Sequence, residues 1–234
     1  MRKLVLYSDQ GNKNNEKVDA RLLRLVQKPN ARVGYIPSGG DKERKYYQEN
    51  CDYYKKLGFE DFFFFDLGDE YDGSKVDELF SCNIIHLSAG DPLYFLQNIK
   101  KRNFVDVLRH FVDQGGILVG VSGGSLQLTK TVAVYKSFIG DLDNITYEDY
   151  VGLSALNLVD FEFLPHYNRW NQDFINTVKA YSAKFASLIY ACRDGDGILV
   201  NDNEIEFIGN IIRIENGIVV SSVAPYSPED FLHA

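Results

Sequence analysis

A serine in a glycine-rich turn is the residue of this sequence with the clearest chemical potential. Residues 120–124 read Gly-Val-Ser-Gly-Gly and fit the pattern Gly-x-Ser-x-Gly around Ser122. An apolar segment at 117–121 precedes the serine, and a helix-compatible stretch at 125–134 follows it. A strand, a sharp turn and a helix in this order expose a serine Oγ, and the glycines leave room for the turn. The pattern therefore predicts Ser122 as a nucleophile; a glycine-rich turn with a structural serine, or a phosphate-binding turn, is the alternative.

A serine nucleophile needs a base, and the sequence offers four histidines. His166 follows the alternating run 158–164 and lies on a loop at the end of a predicted strand, where catalytic bases are often found. His86 lies within a predicted strand and His110 within a predicted helix, which favours packing or surface roles for both. His233 lies in the C-terminal tail. These positions favour His166 as the base.

The base in turn needs an acid that orients its ring. Asp194 comes just after the predicted strand 186–192 and is followed by a glycine, which suits a fixed side chain pointing into a crevice. Asp196 is the neighbouring alternative. Asp141 and Asp143, which lie between the serine and the histidine, are further candidates. Position in the sequence favours Asp194 and leaves the other three open.

Two further features could complete a hydrolytic site. The segment 88–92, Ser-Ala-Gly-Asp-Pro, follows a predicted strand, and the N–H of Gly90 could join that of Gly123 in stabilising an oxyanion. The same segment also reads as an ordinary turn into a helix. Arg169 lies three residues after His166 and could bind a substrate carboxylate, either an acidic side chain or a peptide terminus.

The elements that must position these residues alternate along the first two thirds of the chain. Strands are predicted at 3–8, 31–37, 62–65, 83–88 and 117–121, with segments of helical periodicity between them. Such alternation predicts right-handed crossovers and a mainly parallel, doubly wound α/β sheet. With no linker or repeat in the sequence, we expect one domain over residues 1–234.

The last third of the chain has a different pattern. After a predicted helix near 174–185, short strands joined by tight polar turns are predicted at 186–192, 197–200, 204–208, 211–215 and 218–223. Asn216-Gly217 is a strong signal for a two-residue hairpin. We therefore expect a C-terminal antiparallel meander on one edge of the same sheet.

Composition limits the classes of protein that this sequence can represent. The 234 residues are 45% hydrophobic and 25% charged, a globular balance, with a formal net charge of −8. The negative charge disfavours general binding to nucleic acid or to anionic membranes, and no apolar run is long enough to span a bilayer. Three widely spaced cysteines without a Cys-x-x-Cys pair argue against a disulfide framework and a zinc site. A cytoplasmic protein is expected.

The motifs together resemble a known family. GVSGGS at 120–125, LPH at 164–166, CRDGDG at 192–197 and SAGDP at 88–92 are similar to segments of the serine peptidase family of aspartyl dipeptidase (peptidase E) and cyanophycinase. The similarity in element order spans nearly the whole chain. It implies a fold like that of class I glutamine amidotransferases, which is flavodoxin-like, and a hydrolase that needs no metal or other cofactor.

The resemblance also implies a role for each candidate residue. Ser122 would be the nucleophile, His166 the base and Asp194 the acid, and the oxyanion donors would fall on Gly90 and Gly123. The family often has alanine where this chain has Gly123, and glutamate where it has Asp194. The expected activity is that of a dipeptidase-like exopeptidase that cleaves a peptide or isopeptide bond in a small peptide, and a homodimer is left open.

Two alternatives come from other classes of protein. An esterase of the α/β-hydrolase type normally has its acid between the serine and the histidine, which would favour Asp141 or Asp143. The predicted C-terminal meander counts against it, because the histidine of that fold usually lies near the chain end. A non-catalytic amidotransferase-like domain that binds a ligand is the second alternative.

Overall fold

A seven-stranded sheet lies at the centre of the protein. The computed structural model describes residues 2–11, 14–28, 30–140 and 145–223. Across the sheet the strands are β3 (Asp61–Phe64), β2 (Arg32–Ile36), β4 (Ile84–Leu87), β5 (Ile117–Val121), β1 (Lys3–Tyr7), β8 (Gly197–Asn201) and β9 (Glu204–Ile208). The first five are parallel to one another, β8 is antiparallel to β1, and β9 is antiparallel to β8. The predicted mainly parallel, doubly wound sheet is thus confirmed.

Helices lie between the strands along the described chain. They are α1 (Glu16–Val26), α2 (Lys45–Lys56), α3 (Val76–Phe80), α4 (Pro92–Lys101), α5 (Phe104–Asp113), α6 (Gly123–Leu128), α7 (Tyr147–Gly152) and α8 (Gln172–Phe185). The helix expected over 125–134 is shorter than predicted. It ends at Leu128 because Thr129 is extended, with its hydroxyl donating to the carbonyl of Leu126. Within the described residues, no helix is both long and apolar enough to cross a bilayer.

A second, four-stranded sheet corrects one prediction. Its strands are β11 (Ile218–Val223), β10 (Ile211–Glu215), β7 (Leu188–Ala191) and β6 (Glu162–Leu164). The strands expected to form one meander on the edge of a single sheet are therefore divided between two sheets. β8 and β9 belong to the central sheet, whereas β7, β10 and β11 belong to the second sheet. The chain turns from one sheet to the other at Gly209, which has a φ of +95°, and β10 then pairs with β7.

The core follows from the alternation of side chains along the strands. In β1, Val5 and Tyr7 face the cluster covered by α1 and α2, whereas Leu4 and Leu6 face the larger cluster that includes residues of α4, α5 and α6. Burial on both faces explains why these strands read as continuous apolar runs.

The carboxyl ends of the parallel strands meet at one edge of the central sheet. Ser8 follows β1, Ser88 follows β4 and Ser122 follows β5. In open α/β sheets this edge is where ligands usually bind. The fold therefore gathers the predicted strand-end residues in one place.

Candidate active site

Ser122 lies in a strained turn between β5 and α6. Its backbone has φ 49° and ψ −112°, a region that residues other than glycine rarely occupy. The turn is held by hydrogen bonds on both sides, because the N–H of Ser122 donates to the carbonyl of Tyr7 at 2.9 Å and the N–H of Ser125 donates to the carbonyl of Ser122 at 2.9 Å. The local conformation thus fixes the serine at the edge of the sheet.

Glycine is required at two positions beside this serine. A Cβ on Gly123 would lie 2.1 Å from the carbonyl oxygen of Gly90, and one on Gly124 would lie 2.1 Å from that of Leu87. Both distances are far inside van der Waals contact. Gly123 therefore packs directly against Gly90, which explains why this chain has no alanine after its serine.

His166 faces the serine. Its Nε2 lies 2.8 Å from Oγ of Ser122, within hydrogen-bond distance. The histidine comes just after β6 and has a left-handed backbone, with φ 60°. Its own N–H donates to Oγ of Ser8 at 2.8 Å, and that hydroxyl donates to the carbonyl of Cys192 at 3.1 Å. The end of β1 thus holds the loop that carries His166.

Asp194 lies behind the histidine. Its Oδ1 is 2.7 Å from Nδ1 of His166, and its Oδ2 accepts hydrogen bonds from Nε of Arg169 at 2.7 Å and from Nδ2 of Asn168 at 3.1 Å. Burial alone would raise the pKa of Asp194, but the hydrogen bonds from Arg169, His166 and Asn168 outweigh it and hold that pKa below its ordinary value. The carboxyl group is thereby kept ionised beside the imidazole.

Asp196, the neighbouring candidate acid, forms no hydrogen bond with His166 in the described part of the chain. The Asp196 carboxylate accepts the N–H of Asn210 at 3.1 Å and supports the turn between the two sheets. Asp141 and Asp143 lie outside the described residues, as does His233.

The two remaining histidines lie away from the serine, as expected. His86 is buried in β4, where its ring stacks on Tyr35, and desolvation lowers the pKa of His86 to about 3. His110 lies on α5. Neither position suits a base for Ser122.

Arg169 borders the site, but its guanidinium is already engaged. Nε bonds Asp194, and Nη2 bonds Asp9 at 2.9 Å. One of the two edges that can bind a carboxylate with two parallel hydrogen bonds, formed by Nε and Nη2, therefore faces two acids of the protein itself. Nη1 is not used in these bonds, so carboxylate binding by Arg169 stays a prediction.

A small cavity of about 260 Å³ opens over the serine, and we call it the nucleophile cavity. Ser122, His166, Gly90 and Gly123 line it, together with Arg169. Much of the remaining wall is apolar and includes Pro92, Leu126, Tyr135, Phe138, Pro165 and Trp170. The site therefore combines a few polar groups with an apolar wall, which is typical of a small-molecule pocket.

Three side chains beside the serine are spaced closely enough to hold a metal ion. Asp9, His166 and Asp194 each place one ligand atom within 4.8 Å of the others. However, Arg169 bonds both carboxylates, and the two ring nitrogens of His166 face Ser122 and Asp194. Arg169 therefore already supplies the positive charge that a metal ion would bring to the two acids.

Sequence reasoning missed several residues of the site. Ser8 and Asp9 follow β1 directly, so the rule that functional side chains follow parallel strands could have found them. The aromatic wall formed by Phe138 and Trp170, whose rings meet edge to face at 4.8 Å, gave no such signal. Aromatic residues at these positions are equally typical of a core.

The fold is shared with solved peptidase structures. One is a 1.5 Å crystal structure of a protein of Listeria monocytogenes EGD-e provisionally named peptidase E, with a TM-score of 0.67 and 21% identity, covering 88% of this chain and 98% of that one. Another is a peptidase from an acI-B1 actinobacterium, with a TM-score of 0.72 and 13% identity, covering 97% of both chains. At these identities the likeness shows a common fold.

Sequence relatives are also named peptidases. The uncharacterized peptidase Lmo0363 of Listeria monocytogenes is 25% identical over 142 residues, which are 60% of this chain and 67% of the relative. The uncharacterized peptidase Lin0382 of Listeria innocua is 26% identical over 137 residues, which are 58% of this chain and 61% of the relative. The aligned part thus spans about two thirds of each relative.

A family model matches most of the chain. The model of peptidase family S51 covers residues 4–208, a range that includes Ser122, His166 and Asp194. A match of this extent favours a peptidase over the two alternatives, an α/β-hydrolase esterase and a non-catalytic amidotransferase-like domain. The chain belongs to peptidase family S51, a family of serine peptidases.

Proposed function

We propose that the peptidase uses Ser122 as its nucleophile, His166 as the base and Asp194 as the acid that orients the base. One observation carries the proposal, namely the continuous chain of hydrogen-bond distances from Oγ to Nε2, 2.8 Å, and from Nδ1 to Oδ1, 2.7 Å. A nucleophile, a base and an orienting group in this geometry constitute a catalytic triad. The strained backbone of Ser122 supports its assignment as a nucleophile elbow.

The proposed reaction is acyl transfer in two steps. Oγ of Ser122 attacks the carbonyl carbon of the scissile amide while Nε2 of His166 takes the hydroxyl proton. The resulting imidazolium gives that proton to the departing amine, and the C–N bond breaks to leave an acyl-enzyme. A water molecule then attacks the acyl group, with His166 again as the base, which frees the acid and restores Ser122.

Gly90 and Gly123 would stabilise the tetrahedral oxyanion. Both residues line the nucleophile cavity together with Ser122, and Gly123 packs against Gly90. Backbone N–H groups held in this way need no rearrangement as the negative charge develops, which is the main source of oxyanion stabilisation. Because the N–H groups belong to the backbone, no side chain is needed for this role.

A small peptide is the substrate class that the site fits best. The nucleophile cavity of about 260 Å³ has room for a short segment rather than a folded chain. We accordingly propose a dipeptidase-like exopeptidase acting without a cofactor. The free, buried state of Cys51, Cys82 and Cys192 favours the reducing cytoplasm. A single domain over 1–234 and a homodimer remain predictions.

Hydrolysis of a library of dipeptides and isoaspartyl dipeptides tests this proposal. We expect the purified protein to cleave some members and Ser122→Ala to lower kcat on the order of 10⁴- to 10⁶-fold. Ser125→Ala is the matched control, because Ser125 lies in the same turn but its Oγ donates to the carbonyl of Tyr7 at 2.8 Å. Ser125→Ala should retain most of kcat. Near-normal turnover by Ser122→Ala would overturn the assignment.

A further inference from the structure

A second and larger cavity lies beside the nucleophile cavity. It measures about 580 Å³, and Gly90 lines both cavities. Val121, the residue before Ser122, also lines the larger one. Its walls come from segments that follow β1, β2 and β4 and from α2. A cavity of this volume can hold an amino-acid residue with a long side chain. It therefore continues the site away from the serine.

The charge of this cavity has one sign. Asp9, Asp41 and Glu49 line it, and none of the described lining residues is a lysine or arginine. We therefore call it the acidic cavity. The Asp41 carboxylate is buried and fixed, because it accepts the N–H groups of Tyr46 at 3.3 Å and Tyr47 at 2.8 Å at the start of α2. Glu49 lies at the exposed rim.

Among the described residues, the two cations that come soonest after Asp41 in the sequence are paired with other acids. Lys42 lies 3.6 Å from Asp69, and Arg44 forms an ion pair with Glu70. Neither Lys42 nor Arg44 lines the cavity. Of the three carboxylates, Asp9 alone forms an ion pair within the described part of the chain, with Arg169 of the nucleophile cavity. Asp41 and Glu49 thus leave the acidic cavity with a negative charge that a ligand can meet.

A buried hydrogen-bond acceptor without a partner also points to a ligand, one that donates hydrogen bonds. Asn50 lines the acidic cavity and is 9% exposed, yet its Oδ1 has no hydrogen-bond partner among the described residues. Its Nδ2 faces the neutral ring of His86 at 3.3 Å. A buried acceptor without a donor is costly unless a ligand supplies one. The rings of Tyr46 and Tyr53 on the same wall can also attract a cation.

The position of His166 decides which part of a substrate reaches the acidic cavity. His166 lines the nucleophile cavity and not the acidic cavity. Because it gives its proton to the departing amine, the amine side of the scissile bond lies in the nucleophile cavity. The acyl side then extends past Gly90. We propose that the acidic cavity binds a positively charged group, an ammonium or a guanidinium, on the acyl part of the peptide; this inference rests on the proposed function.

Matched substrate pairs test the proposal by turnover. The pairs are lysine against norleucine and arginine against citrulline in the acyl residue, and a free against an acetylated amino terminus. We expect the cationic member of at least one pair to have a kcat/KM about tenfold higher, as for a charged hydrogen bond. A side-chain pair that responds identifies the side chain as the source, and the acetylation pair identifies the amino terminus. Equal kcat/KM within all pairs would overturn the proposal.

Glu49→Gln is the decisive variant, because Glu49 lies at the exposed rim and outside the proposed triad. It should reduce the preference for the cationic member several-fold, whereas Glu43→Gln, which alters an exposed glutamate that does not line the cavity, should leave it unchanged. An unaltered preference in Glu49→Gln would contradict the proposal.

A binding measurement separates this inference from the proposed function. Calorimetry with Ser122→Ala protein and argininamide, with citrullinamide as the neutral control, needs no turnover. Preferential binding of argininamide that Glu49→Gln weakens would support the acidic cavity even if no peptide were cleaved. Equal binding of both amides, in a protein that cleaves peptides through Ser122 without a preference for charge, would overturn the inference alone.

Discussion

The backbone N–H of His166 donates a hydrogen bond to Oγ of Ser8, the residue that directly follows β1. This bond fixes the loop that carries the candidate base. Oγ of Ser8 in turn donates to the carbonyl of Cys192, two residues before Asp194. One buried hydroxyl thus connects the loop of the base with the loop of the acid. Their relative position depends on a residue that is not itself among the described residues lining the nucleophile cavity.

Ser8→Ala should therefore weaken catalysis without abolishing it. Loss of the hydroxyl leaves the N–H of His166 and the carbonyl of Cys192 without their partner, which costs about 1–3 kcal/mol in stability. We expect kcat to fall about tenfold while KM changes little, because a displaced base mainly affects the chemical step. Steady-state kinetics and urea denaturation measure the two effects. A variant that is destabilised but keeps its full kcat would show that Ser8 has only a structural role.

Asp194→Asn should be much more harmful than Asp141→Asn. An amide at position 194 favours the wrong imidazole tautomer of His166, and the corresponding change in a serine protease triad lowers kcat about 10⁴-fold. Asp141→Asn should change kcat by less than about threefold, because the ring of His166 already has a carboxylate partner in Asp194. Parallel kinetics on the two variants measure both effects. The reverse pattern would place the acid between the serine and the histidine.

Arg169→Ala should have two separable effects. Loss of the bond to Asp194 should lower kcat about tenfold on every substrate, because the acid would be less firmly held. If Nη1 also binds a carboxylate, KM should rise for acidic peptides and peptides with a free carboxyl terminus but not for neutral peptides with an amidated terminus. Kinetics on matched peptides read out both effects. An unchanged kcat would refute the positioning role, and equal changes in KM would refute carboxylate binding.

Much of this arrangement follows from local patterns in the sequence. Strand ends in a parallel sheet share one edge, which is why the position of Ser122 at that edge could be predicted from its turn alone. The partners of Arg169 could not be assigned in this way, because Asp9 is 160 positions away and nothing local relates the two. The division of the C-terminal strands between two sheets was missed for a similar reason. A hairpin signal fixes which strands are neighbours but not the sheet they join.

A buried carboxyl group outside the site should make stability depend on pH. Glu162 is fully buried and accepts hydrogen bonds from the hydroxyls of Tyr150 at 3.1 Å and Tyr181 at 2.6 Å. Desolvation raises the pKa of Glu162 from 4.5 to about 7. Between pH 4.5 and about 7, Glu162 is therefore protonated in the folded state but ionised in the unfolded state. The contribution of Glu162 to stability is full below pH 4.5 and is lost as the pH rises to about 7.

Glu162→Gln should remove this dependence, because an amide does not titrate. The difference in unfolding free energy between wild type and variant should change by roughly 3 kcal/mol from pH 4.5 to pH 7 and then level off. Urea denaturation at several pH values gives this difference. Asp160→Asn, at an exposed acid two residues earlier, is the matched control and should follow wild type. A constant difference between wild type and Glu162→Gln would mean that Glu162 does not titrate in this range.

Reaction with a fluorophosphonate, followed by mass spectrometry of the digested protein, tests the central assignment most directly. The reagent phosphonylates a serine only where a base activates its hydroxyl. We predict a single adduct, on the peptide that carries Ser122, and no adduct in Ser122→Ala or His166→Ala. An adduct on another residue, or equal labelling of Ser122→Ala, would contradict the assignment of Ser122 as the nucleophile.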